Sequence, residues 1–184
     1  MSVLESERLV LREFDLDDAD FVVELLNEPA FVRFIGDKGV RTRADAREYL
    51  QKGPMDSYRR HGFGLYLASL RSDGTPIGMC GLIKREGLAD VDVGFALRSR
   101  YWSQGYAAEA AAAVLDYGRR ILNLGRIVAI ANPENRASIA VLEKIGLKFE
   151  HTVRLSADGP ELGLFGPGAA RGGGILAAHA ARGD

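Results

Sequence analysis

Two hydrophobic periods alternate along the chain, and together they lay out its elements. In residues 8–14, Leu9 and Leu11 fall on one side and Arg8, Val10 and Arg12 on the other, the two-residue period of a half-buried strand. Asp15 or Asp17 can cap the helix that follows, whose Phe21, Val22, Leu25 and Leu26 recur at helical spacing until Pro29 interrupts. A second helix is predicted from Thr42, where Thr42 and Asp45 form a capping pair ahead of the stripe Ala46, Tyr49 and Leu50, and it ends before Gly62. Residues 63–70 and 77–84 read as strands around a tight Asp73-Gly74 turn, and residues 91–97 as a third antiparallel strand after Gly87. From Gly105 through Ile121 the period is helical and rich in alanine, which suits close packing on a sheet. Residues 126–131 are almost wholly apolar, as expected of a strand covered on both faces. A helix from Asn135 to Ile145 then stops at Gly146, and residues 147–155 and 161–165 form a last antiparallel pair joined around Asp158-Gly159-Pro160.

This order predicts one mixed α+β domain over residues 1–165, followed by a Gly- and Ala-rich tail over 166–184 that is expected to be flexible. With 184 residues, of which 47% are hydrophobic, the chain can bury one sizeable core but not two. A formal net charge of -1 argues against a nucleic-acid surface or an anionic-membrane surface, so any anionic ligand must be held locally. The single cysteine, Cys80, excludes an internal disulfide and is read as a core residue; His61, His151 and His179 are too scattered for a metal site. The beginning of the chain carries Glu5, Glu7 and Arg8 among its apolar residues, unlike a signal peptide, and no apolar run is long enough to span a bilayer, so a cytoplasmic protein, monomer or homodimer, is expected.

Candidate chemistry concentrates in residues 97–110, where a strand passes through a loop into a helix. Such a helix start presents backbone N–H groups without partners and a partial positive charge, so a diphosphate can rest on the amides of 103–107. Gly105 allows close approach, small Ala107 and Ala108 leave room, and Arg98 and Arg100 can add charge; the plainer reading is that Gly105 merely eases the turn. Asp92 is the other candidate. It lies on one face of its strand with Gly94 and Ala96, a carboxylate inside an otherwise apolar segment, which calls for either a task or an ion-pair partner.

Four stretches of the sequence resemble the GNAT superfamily of N-acetyltransferases, within it the RimJ/RimL-like branch of ribosomal-protein N-terminal acetyltransferases. They are residues 7–12, Asp92-Val93-Gly94-Phe95, residues 101–110, and Asn135-Arg136-Ala137-Ser138 with residues 143–147, in the expected order. The resemblance implies a splayed, mostly antiparallel sheet of about six or seven strands with helices on both faces. It also implies acetyl-CoA as co-substrate, no metal, and an amine acceptor that is a protein N-terminus or a small molecule. Donor binding is implied for Phe95, Ala96 and Leu97 on one splayed strand, for the turn Trp102, Ser103, Gln104, Gly105, Tyr106 and Ala107, and for Asn132, Asn135 and Ser138. Trp102 stands where the superfamily's diphosphate loop usually has Arg or Gln, so side-chain contacts there are set apart from the backbone contacts. Asp92 is implied as general base and Ser138 as the hydroxyl near the thioester sulfur, with Ser138 equally readable as an ordinary first-turn serine; residues 139–145 lack the tyrosine that many superfamily members use as acid. The backbone amide of a residue such as Val93 is expected to steady the oxyanion. The acceptor pocket is expected from residues 31–58, with Arg33, Asp37 and Arg41 supplying charge.

Two rival readings remain. A nucleotide-binding enzyme of another class lacks its Gly-rich signatures here, with no Gly-x-x-x-x-Gly-Lys-Ser/Thr and no Gly-x-Gly-x-x-Gly after an early strand. A non-catalytic acyl-CoA sensor would keep the coenzyme site without turnover.

Overall fold

The structure, a computed structural model, describes residues 2–168. Most of the expected tail, with His179, therefore lies outside the described residues. One eight-stranded sheet organises the chain in the order β1-β2-β3-β4-β5-β6-β8-β7. Its strands are β1 (Ser2–Glu5), β2 (Leu9–Arg12), β3 (Leu65–Leu70), β4 (Pro76–Ile83), β5 (Val91–Leu97), β6 (Ile127–Ala131), β7 (Lys148–Val153) and β8 (Leu162–Gly166). The helices are α1 (Ala19–Leu26), α2 (Pro29–Phe34), α3 (Arg43–Lys52), α4 (Pro54–His61), α5 (Tyr106–Arg120) and α6 (Arg136–Lys144). All neighbouring strands are antiparallel except β5 and β6.

The sheet has one strand more than the sequence predicts, because β1 is a four-residue edge strand whose register slips between Ser2 and Leu4, too short to show a period. Two helices were also hidden by proline. Pro29 and Pro54 each begin a new helix, as proline does at a first helical position, where no N–H is needed. The helix expected from Thr42 to before Gly62 is thus two, α3 and α4, parted at Gly53. The Thr42 and Asp45 capping box is present, and Gly62 ends α4 in a left-handed conformation. At the other end, Gly166 closes β8 rather than opening the tail.

Alternation along the strands feeds two cores. Leu9, Leu11, Tyr66, Cys80, Val93, Ile127 and Ala129 face α5 and α6, burying the small Ala110, Ala111 and Val114 of α5 against the sheet. Leu67 and Met79 face the other way, onto Phe21, Leu25, Leu26, Phe31 and Leu50 of α1–α3. Cys80 is wholly buried and burial pushes its thiol pKa up, which keeps it inert in the core. Among the described residues, no helix is long and apolar enough to cross a membrane.

Candidate active site

β5 and β6 are paired only at Val91–Ile127 and Asp92–Val128; beyond that, β6 turns to pair with β8 and the two strands part. The Arg98 amide donates to the Ile77 carbonyl on the β4 side, so by alternation the main-chain groups of Phe95 and Leu97 face the gap. The Leu97 carbonyl there accepts the Trp102 indole N–H at 2.9 Å, which holds the loop after β5 against the strand end. A cleft of about 390 Å³ lies along the β5 side of this gap. Its walls include Phe95, Ala96, Leu97, Trp102, Ser103, Gly105, Tyr106 and Ala107 from the strand and turn, and Asn135 and Ser138 from the start of α6. Of the residues expected at the donor, Gln104 is turned away, its side-chain amide donating to the Arg100 carbonyl, and Asn132 lines only the adjoining cleft described below.

The turn entering α5 has the backbone of an anion site. Ser103 and Gly105 both have positive φ, 59° and 84°, and Gly105 offers no side chain to cap the helix. The first helical bond runs from the Glu109 amide to the Gly105 carbonyl at 3.0 Å, so the amides of Gly105 to Ala108 precede the helical ladder. Arg98 and Arg100 do not supply the expected charge. Arg98 pairs with Glu24 and lies over the Phe21 ring, while Arg100 lies over Tyr101. The cation bonded to the turn is instead Arg8, stacked 4.3 Å from the Tyr106 ring centre but paired with Glu109, while Lys144 lines the cleft.

Arg8 belongs to a clamp that the sequence does not reveal, because its members are about a hundred positions apart. Glu109 Oε1 accepts from Ser6 Oγ and from the Arg8 amide, each at 2.7 Å, and Oε2 accepts from Arg8 Nε at 2.7 Å. The Arg8 guanidinium also donates to the Gln104 carbonyl at 3.0 Å, tying β2 to the turn. Burial alone would raise the Glu109 pKa, but the bonds from Ser6 and Arg8, with the Arg8 charge, hold it below its ordinary value. A depressed carboxylate pKa contributes stability that is present above the unfolded value and is lost as pH falls through the folded one. Glu109→Gln is therefore expected to melt earlier than the parent at neutral pH, with the difference closing in acid, and to raise the KM for donor more than it lowers kcat. Melting curves against pH and donor titrations check this; a constant melting difference across the acid range would show that the clamp's charge contributes nothing.

A second cleft, of about 800 Å³, adjoins the first and shares Phe31, Phe34, Ile35, Phe95, Ala96, Asn135 and Ser138 with it. Asn135 caps α6, its Oδ1 accepting the Ser138 amide at 3.1 Å, and this fixes Ser138 where the clefts meet. Asp92 lines the floor. It is only 1% exposed, the one charged side chain fully buried among the described residues. Arg85 Nε holds its Oδ1 at 2.8 Å, whereas Oδ2 is buried with no hydrogen-bond partner. Burial raises the Asp92 pKa and the Arg85 charge only partly offsets it. The structure supplies the ion-pair partner that the sequence called for, and it leaves Asp92 Oδ2 buried without a hydrogen-bond partner in a residue that lines the cleft. The neighbouring Asp90 is not its partner but pairs with Arg126.

Residues 31–58 do form a wall of this cleft. Arg33 lines it, but Asp37 and Arg41 pair with each other outside it. Tyr49, read as part of an apolar stripe, also lines the cleft; burial raises its pKa and the Arg85 charge acts against that.

A branched channel between parting strands, with an uncapped helix start on one arm and a buried carboxylate on the other, marks the protein as a group-transfer enzyme of the splayed-sheet acyltransferase class. The comparisons agree. Residues 8–148 match the Acetyltransferase (GNAT) domain family, and the chain belongs to that family. It is 33% identical over 147 residues to the uncharacterized N-acetyltransferase YnaD of Bacillus subtilis (strain 168), a match spanning 80% of this chain and 83% of that one. An acetyltransferase from Agrobacterium tumefaciens str. C58 superposes with a TM-score of 0.74 at 27% identity, covering 88% of this chain and 91% of the other. RimL, the ribosomal L7/L12 α-N-protein acetyltransferase, in its complex with coenzyme A, superposes with a TM-score of 0.76 over 90% of this chain and 97% of its own, at 18% identity, a likeness of fold.

Proposed function

We propose that the protein transfers an acetyl group from acetyl-CoA to a primary amine by direct attack, without an acetylated enzyme. The observation that carries this reading is the continuity of the two clefts, which meet at Phe95, Ala96 and Ser138. GNAT acetyltransferases use acetyl-CoA and act on amines, and each part of this site suits one part of that reaction. The turn at residues 103–107 binds the diphosphate through its amides, with Arg8 holding the turn in place and Lys144 adding charge. The Phe95 main chain facing the gap pairs with the amides of the donor's arm as an added strand would.

An ammonium ion cannot attack a thioester, so the acceptor must first lose a proton. Asp92 takes it, directly or through water, because its buried Oδ2 is unsatisfied and gains a partner by doing so. The freed amine attacks the thioester carbon, the carbonyl becomes an oxyanion steadied by strand amides, and collapse expels the thiolate. Ser138 stands at the junction to give its proton to that sulfur while taking the one that the attacking nitrogen sheds, so that free thiol and neutral amide leave and the hydroxyl is restored. Most of the acceleration comes from holding the two reactants together.

Free-thiol release from acetyl-CoA, measured over a panel of peptide and small-molecule amines for the parent and for Gly105→Trp, tests the reading. Gly105 has positive φ, and a Cβ there would stand 3.2 Å from Arg8 Nη2, so the variant should bind donor poorly and turn over slowly. Donor binding without thiol release from any amine would instead favour the sensor.

A further inference from the structure

The acceptor cleft carries a charge that the whole chain does not. Although the formal net charge is -1, six lysine and arginine side chains line this cleft against two carboxylates, so its field is locally positive. Both carboxylates are already engaged by arginine, Asp92 by Arg85 at 2.8 Å and Asp56 by Arg59 and Arg60 at 3.1 and 3.4 Å. Two of the cations are tied to neighbours: Lys84 donates to the Ala89 carbonyl and Lys52 pairs with Glu48. Arg33 and Lys38 remain around the mouth, with Arg60 sharing the single charge of Asp56 with Arg59. Arg33 and Arg60 are each 68% exposed, and the acidic contact of Arg33 is an exposed Glu134 at 3.8 Å, too loose to neutralise it. Lys38 has no salt bridge among the described residues. The residue is exposed overall, yet partial burial of its ammonium, and after it the charge of Arg85, lower its pKa.

The cleft is therefore polarised, with a buried carboxylate at its floor and exposed cations at its rim. An acceptor complementary to it has a cationic end that goes in and an anionic end that stays out. Resting on the acetyl-transfer reading above, we propose that the natural acceptor is an amine carrying an anionic group, carboxylate or phosphate, on the same small scaffold or in the next residue of a peptide. Its ammonium faces Asp92 and its anion faces Arg33, Lys38 and Arg60. A polyamine or an aminoglycoside, cationic throughout, meets repulsion at the rim.

The test uses four dipeptide amides that share an N-terminal alanine and differ at the second residue: glutamate, phosphoserine, glutamine and lysine. Thiol release reports transfer, and calorimetry with the matching N-acetyl dipeptides in the presence of coenzyme A reports binding without turnover. The glutamate or phosphoserine product is expected to bind about tenfold tighter than the glutamine product, with lysine weakest. The stronger of the two anionic arms names the anion. The advantage should shrink as salt rises and disappear in the Arg33→Gln, Lys38→Gln double variant, whose exposed changes leave the fold intact. Equal or tighter binding of the glutamine or lysine product overturns the inference, as does no measurable binding of either anionic product. Absence of thiol release from all four with donor bound counts against acetyl transfer, and the calorimetric arm still decides the charge preference.

Discussion

Asp92→Asn is expected to lower acetyl transfer by about a hundredfold or more at about pH 8, the usual weight of a positioned general base, while leaving the protein at least as stable as before. The two halves of that result have one cause. Asp92 is buried with one oxygen held by Arg85 and the other unsatisfied, so its ionised form is disfavoured and its pKa is raised. A raised pKa means that the native state holds the proton more tightly than the unfolded chain does. The stability tied to that proton is therefore complete below the unfolded value and is lost as pH climbs through the folded one. Asparagine has no charge to bury and does not titrate, so the variant's melting temperature should gain on the parent's across that interval. Arg85 loses its partner but stays a third exposed, where water can solvate it. The rate loss should be largest above the Asp92 pKa, because below it the parent is protonated too. Melting and kcat/KM measured at about pH 5 and about pH 8 decide the matter; an unchanged rate profile removes Asp92 as base, and a variant that loses stability as pH rises shows that the Arg85 pair outweighs the burial.

How much of this was legible in the sequence depends on the distance over which each feature is built. Local features read through: the Thr42 and Asp45 cap, the alanine-rich α5, the start of α6 at Asn135 and the Gly105 turn are each set within a few residues. The oddity of Asp92 was also visible, since a carboxylate in an apolar strand breaks the period. Its partner was not, because Arg85 sits in the loop between β4 and β5, where nothing in its own neighbourhood marks it. The Ser6, Arg8 and Glu109 clamp was invisible for the same reason. Arg98 and Arg100 were misleading in the opposite sense: they are next to the turn in sequence, yet the chain aims them at Glu24 and Tyr101, while the cation that reaches the turn is Arg8, just before β2 and paired with Glu109, and Lys144 at the end of α6 lines the cleft. Proline misled where Pro29 was taken only as a stop and Pro54 was passed over inside one long helix. Pro29 and Pro54 begin helices, and α2 contributes Phe31 and Phe34 to both clefts, so the break in the pattern was itself part of the site.

The donor arm is tested most directly by Ala107→Glu, which is expected to weaken acetyl-CoA binding by about a hundredfold with little change in melting temperature. Ala107 lies in the first turn of α5 and lines the cleft. Glutamate at such a position suits a helix, since a negative charge near the N-terminus complements the helix dipole. The same charge opposes a bound diphosphate: at about 5 Å and an effective dielectric of about 20, two like charges cost about 3 kcal/mol, and the ~10²-fold loss follows from that. Helix preference and ligand preference thus point in opposite directions at one residue, which separates a binding defect from a folding defect. Ala107→Gln, similar in size but neutral, measures the steric part. Donor affinity read by calorimetry should fall modestly in the glutamine variant and steeply in the glutamate variant, and the gap between them should narrow with salt. If glutamate and glutamine behave alike, the coenzyme's phosphates do not lie on this turn.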